Sequence, residues 1–90
     1  MPPELLFLEY CRRVVTSPAD REARAEMLRL AREIEALEEA IVTLEESVVP
    51  RLEGAERGAV LLDLAECHAA IGEGDVAARH REEGQRLLLG

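Results

Sequence analysis

Apolar residues recur every three or four positions along almost the whole chain, and no stretch alternates apolar and polar as a half-buried strand would. Proline and glycine divide the pattern into four helical segments, at about 3–15, 18–48, 55–71 and 75–89. In the first, Pro3 suits an opening helical turn. Leu5, Leu8, Cys11 or Arg12, and Val15 mark one apolar stripe, which Phe7, Tyr10 and Val14 broaden. The segment ends at Thr16-Ser17-Pro18, because a residue before proline avoids the helical region. Ser17 then reads as the next cap, Pro18 as a first helical position and Asp20 as a capping acid.

The second segment carries the longest regular pattern. Ala23, Met27, Leu30, Ile34, Leu37, Ile41, Leu44 and Val48 follow one another in alternating steps of four and three. That spacing predicts a heptad seam on one helix of about 30 residues and ~45 Å. Leu28 and Val42 widen the apolar face, and Ala31 and Ala40 flank it with small residues. Such a face suits several neighbouring helices better than a two-stranded coil. Shorter partners cannot cover a seam that long, so self-association through this helix is expected. Pro50, Gly54 and Gly58 then interrupt the pattern and predict a connection between Val49 and Gly58.

In the third segment Leu61, Leu64, Ala65, His68 and Ile71 share a stripe, and Gly72 is a natural C-terminal stop. Glu73-Gly74 make the turn, Asp75 is the expected cap, and Val76 to Leu89 form the fourth segment. So short a connection forces an antiparallel hairpin.

This hairpin resembles a single tetratricopeptide (TPR) repeat over about residues 58–90. Leu61, Leu64, Ala65, Ile71, Gly72 and Ala77 stand where that motif has large, large, small, large, glycine and alanine residues, and Gly84 fills a later small-residue slot. His68 and Arg81 depart from it, at positions where the family prefers aromatics. The resemblance implies two helices packed through small residues and a role in binding proteins, as arrays of such repeats do. A single copy falls short of the three or so repeats that a stacked core needs. The expected fold is therefore all-α: a small bundle of about four helices forming one domain over 1–90, with one long heptad-patterned helix and a TPR-like hairpin.

Composition narrows the function. A 90-residue chain has room for one domain and no large enclosed cavity. A hydrophobic content of 48% predicts a packed core. Phe7 and Tyr10 are the only aromatics, too few for a base-stacking surface. Nineteen acids against 11 bases give a net charge of −8, which opposes binding to phosphate backbones and anionic membranes. Neither nucleic acid nor membrane is expected as a partner. Met-Pro-Pro-Glu lacks the basic start of a signal peptide, no apolar run reaches the ~20 residues of a membrane span, and Cys11 and Cys67 form no CxxC. A cytoplasmic protein with reduced thiols is expected. All the bases are Arg, without Lys, a bias that fits a thermophilic source or a GC-rich genome.

Glu33, Glu35, Glu38, Glu39, Glu45 and Glu46 form an acidic strip with no base among them. It is expected to be a solvated face, answered by Arg79, Arg81 and Arg86 of the last helix or left free for a basic partner. The candidate metal ligands are Cys11, Cys67, His68 and His80, with Asp63, Glu66 and Glu83 nearby. They match no HExxH, paired CxxC or di-iron spacing, so no metal or other cofactor is expected. Cys67 and His68 are sequence neighbours that point about 100° apart on a helix, which excludes a catalytic dyad between them. No glycine-rich phosphate loop is present, and no catalytic residues are expected. The function expected is a non-enzymatic interaction or assembly module whose partner is itself, another protein, or both. The alternatives are an acidic inhibitor or nucleic-acid mimic that blocks a basic surface, and a small-ligand site shared between subunits through His68, His80 and the thiols.

Overall fold

A computed structural model of all 90 residues contains helices and turns only. The helices are α1 (Pro3–Thr16), α2 (Arg21–Glu33), α3 (Leu37–Thr43), α4 (Gly54–Ala70) and α5 (Gly74–Leu89). A π-helical turn, Leu44–Val48, and a 3-10 turn, Val49–Arg51, prolong α3.

Local chemistry sets most of the ends. Pro3 opens α1, and the chain leaves it at Ser17, one residue before Pro18. Asp20, rather than Ser17, caps α2: its carboxylate accepts the Ala23 amide at 3.0 Å. Pro18 therefore lies in the turn between the helices, not in the first turn of α2.

The single helix expected over 18–48 is two helices. Glu33 ends α2, Glu35 adopts a left-handed backbone (φ 59°), and the Ala36 amide reaches back to the Ala31 carbonyl at 2.7 Å. This is the helix ending that glycine usually makes, formed here without glycine. Gly72 closes α4 in the same way, with φ 85° and the Glu73 amide on the His68 carbonyl at 2.8 Å. The bend at Glu35 costs about 1–2 kcal/mol because its Cβ crowds the following carbonyl. Burying even one Leu or Ile side chain offsets that, at roughly 1.5–3 kcal/mol each. Met27, Leu30, Ile41, Leu44 and Val48 of the seam are buried within the one chain, and Ile34 and Leu37 are half-buried at the bend. The protein spans 40 × 28 × 18 Å, shorter than the straight helix alone would have needed.

The π turn has its own cause. Pro50 offers no amide to continue the ladder and its ring crowds the carbonyl four residues back, so the chain widens and the Val49 amide bonds the Leu44 carbonyl.

α1 buries a different stripe from the one its spacing marked. Phe7 and Val14 enter the core, with Leu6, Tyr10 and Cys11 packed against it. Leu5, Leu8 and Val15 face outward, 55%, 57% and 37% exposed. The inward face carries both aromatics and so hides the larger apolar area. The Arg51 guanidinium donates to the Val15 carbonyl, tying the 3-10 turn to the end of α1.

α4 and α5 run antiparallel, with Leu64, Ala65 and Ala77 almost wholly buried between them and the core. Where they cross most closely, a Cβ on Gly58 would lie 2.8 Å from the Gly84 carbonyl, and one on Gly84 would lie 2.9 Å from the Gly58 carbonyl. Backbone meets backbone there. Across the bundle Arg24 of α2, buried to 6% exposure, donates from Nε to Asp63 of α4 at 2.6 Å.

Candidate functional site

The main concentration of chemistry-bearing side chains gathers Glu45 from the π turn, His68 from the last turn of α4 and His80 from α5. His68 Nε2 and His80 Nε2 lie 3.1 Å and 3.3 Å from the same oxygen, Glu45 Oε2. The two imidazoles meet edge to face with centroids 5.1 Å apart. The far nitrogen of His68, Nδ1, donates to Glu73 Oε1 at 2.6 Å.

Each member is placed by a backbone feature already described. The left-handed Gly72 turns the chain back over α4, so the Glu73 amide reaches the His68 carbonyl while its carboxylate reaches the His68 ring. The short turn sets α5 antiparallel to α4 and brings His80 beside His68. The π turn presents Glu45 to both rings. His68 is buried, His80 half-buried and Glu45 exposed, so the cluster is anchored in the bundle and open on one side. The open side borders a cleft of about 370 Å³ walled by Arg57, His80 and Glu83 and floored by Val49, Leu61 and Leu64.

Neither thiol belongs to this cluster. Cys11 lies by Thr43 and Glu39, and Cys67 by Arg32, Asp63 and Glu66. Burial pushes both thiols above their usual range; the Thr43 hydrogen bond on Cys11 and the Arg32 charge on Cys67 oppose it without prevailing. Both sulfurs are free. They are held as unreactive thiols.

The acidic strip is divided. Glu45 joins the histidines instead of the solvated face expected for it, and Glu33 pairs with Arg29 at 3.3 Å. Glu35, Glu38, Glu39 and Glu46 form no ion pair. None of the arginines expected to answer the strip forms an ion pair with it: Arg86 bonds Glu83 on its own helix, and Arg79 and Arg81 pair with no acid. His80 is the α5 side chain that reaches the strip.

The sequence named His68 and His80 as candidate ligands but gave no reason to join them to Glu45. Glu45 lies 23 residues before His68 and 35 before His80, and no short motif spans three elements. One signal was available. The chain has two histidines, and both fall on one antiparallel hairpin.

No helix is long and apolar enough to cross a membrane. No family model matches the chain, and no curated protein or solved structure matches it.

Proposed function

We propose that this chain is a non-enzymatic assembly module that pairs with a second copy of itself through the outer face of α1. The observation carrying the reading is the run Leu5, Leu8 and Val15, three large apolar side chains at coiled-coil spacing on a helix that has no neighbour on that side. Most of the seam first expected to do this is buried within the one chain, which favours α1 instead.

Charge selects the geometry. Glu4 and Glu9 occupy the first half of α1, and Arg12 and Arg13 the second. An antiparallel pair sets acids over bases on both sides of its two-fold axis, whereas a parallel pair sets like over like. Leu5 then faces the partner's Val15, and Leu8 packs on the stem of the partner's Arg12. Six half-exposed side chains becoming buried contribute about 5–8 kcal/mol before the cost of association, which is of similar size. The pair is therefore concentration-dependent rather than obligate. In this reading the α4–α5 hairpin is a single TPR-like unit that braces the bundle, and the protein works in the cytoplasm, where its free thiols stay reduced.

Light scattering behind a sizing column, over a concentration series at low and high salt, tests the proposal. The wild-type chain should move towards dimer mass as concentration rises and keep doing so in high salt. Leu8→Glu should remain a monomer throughout. A wild-type chain that stays monomeric at millimolar concentration refutes the pairing.

A second reading rests on Glu35, Glu38, Glu39 and Glu46, the acids of the strip without an ion pair: an inhibitor docking on a basic partner surface. Its binding would weaken steeply with salt, unlike pairing through α1.

A further inference from the structure

We infer that Glu45, His68 and His80 form a binding site for one divalent transition-metal ion of the zinc class, with Glu73 as the residue that positions His68. Metal–nitrogen and metal–oxygen bonds of ~2.0–2.2 Å at tetrahedral angles separate neighbouring ligand atoms by ~3.3–3.6 Å. Glu45 Oε2 stands 3.1 Å and 3.3 Å from the two Nε2 atoms, and all three ligand atoms lie within 4.8 Å of one another. The two Glu45–histidine edges match that tetrahedral spacing to within a few tenths of an ångström. Glu45 is the exposed member and free to adjust by the few tenths of an ångström required.

The hydrogen bonds lead to the same conclusion. In the tautomer that donates Nδ1–H to Glu73, the lone pair of His68 lies on Nε2. That lone pair points at a carboxylate oxygen, an acceptor facing an acceptor, and a cation between them resolves the conflict. A carboxylate on the outer nitrogen of a histidine is the arrangement that fixes the ring of a metal ligand and raises its basicity. Two imidazoles and one carboxylate favour zinc, cobalt or nickel over magnesium and calcium, which prefer oxygen alone. Three protein ligands leave the fourth position to water, on the side of the Arg57 cleft.

Equilibrium dialysis of the reduced full-length chain against zinc alone tests the site, with cobalt as a spectroscopic substitute. The wild type should bind one equivalent with micromolar or tighter affinity, unaffected by excess magnesium, and cobalt should give the visible bands of a four-coordinate ion without a thiolate charge-transfer band. His68 is buried and its replacement endangers the fold, so the variants are His80→Ala and Glu45→Gln, each expected to lose at least tenfold in affinity. Glu73→Gln should lose 10–100-fold while the metal-free chain melts unchanged and the cobalt spectrum keeps its form. Zinc uptake equal in the wild type, His80→Ala and Glu45→Gln would overturn the assignment. So would no uptake at all.

Discussion

Replacing Glu35 by glycine should stabilise this protein, the opposite of what glycine does inside a helix. In the folded chain Glu35 has φ 59°, a region where a Cβ costs about 1–2 kcal/mol and glycine costs nothing of the kind. Against that gain stands the extra freedom glycine gives the unfolded chain, about 0.4–1 kcal/mol. The substitution also removes an acid beside the negative end of α2, worth a few tenths of a kcal/mol. Glu35→Gln isolates the charge effect, so the decisive quantity is the difference between the glycine and glutamine variants. That difference should be about 0.5–1 kcal/mol in favour of glycine, or roughly 2–8 °C in melting temperature for a domain of this size. Thermal unfolding followed by circular dichroism, with a chelator present in all samples, reads it directly. Were α2 and α3 one continuous helix, glycine would instead fall below glutamine by about 0.5 kcal/mol through its poor helix propensity. A glycine variant melting below the glutamine variant would therefore refute the bend at Glu35, and with it the burial of the seam inside one chain.

The close crossing of the hairpin makes Gly84→Ala and Gly58→Ala destabilising despite better helix propensity. The clash with opposing backbone costs about 1–3 kcal/mol against a gain of ~1, whereas Gly74→Ala, with nothing within 4 Å of its Cβ, should be neutral or stabilising in the same melting assay. Asp63→Ala leaves the Arg24 guanidinium buried without a partner; because Asp63 itself is a third exposed, the expected loss is about 1.5–3 kcal/mol rather than the full cost of a buried pair. Urea titration should also show Arg24→Met with Asp63→Ala recovering most of that loss, and no recovery would mean the pair is not the source. Burial holds both thiols above their ordinary range, so they should alkylate more slowly in the folded chain than in urea at equal pH. Because the fold favours the protonated thiol, this contribution to stability is complete below the ordinary range of the unfolded thiol and is lost as pH rises from there through the raised range of the folded chain. Stability unchanged between neutral and strongly alkaline pH would contradict this.

Helical content and the C-terminal hairpin were legible because they are written in nearest-neighbour terms. Gly72 marks a stop, Thr16-Ser17-Pro18 marks another, and the three-and-four spacing of Leu61, Leu64, Ala65 and His68 marks a face. The bend at Glu35 was illegible because no residue near it breaks helices. Glu35 is a good helix former, and the heptad pattern continues through Ile34 and Leu37 without a stutter. What bends the chain is the burial gained when Ile41, Leu44 and Val48 fold back on their own bundle, a long-range effect that a local pattern does not encode. α1 failed for a related reason. Two stripes were available on one helix, and spacing alone could not weigh Phe7 and Val14 against Leu5 and Leu8.

The cluster of Glu45, His68 and His80 depends on the departures from ideal helix, not on the helices themselves. A straight helix over 18–48 would have left Glu45 beside Glu46 among solvated acids, far along an uninterrupted rod. The bend at Glu35 returns the chain to the hairpin, and the π turn forced by Pro50 carries Glu45 to the rings. The left-handed Gly72 then supplies both the reversal that brings His80 across from His68 and the position from which Glu73 reaches Nδ1. Two of these three irregularities carry a cost that regular helix would avoid: Glu35 in left-handed backbone, and a π turn where an α turn would bond more tightly. Burial of the seam accounts for the first. The second lies where a carboxylate meets two imidazoles, the kind of place at which π turns concentrate, and it makes Glu45, rather than either histidine, the member through which the site is assembled.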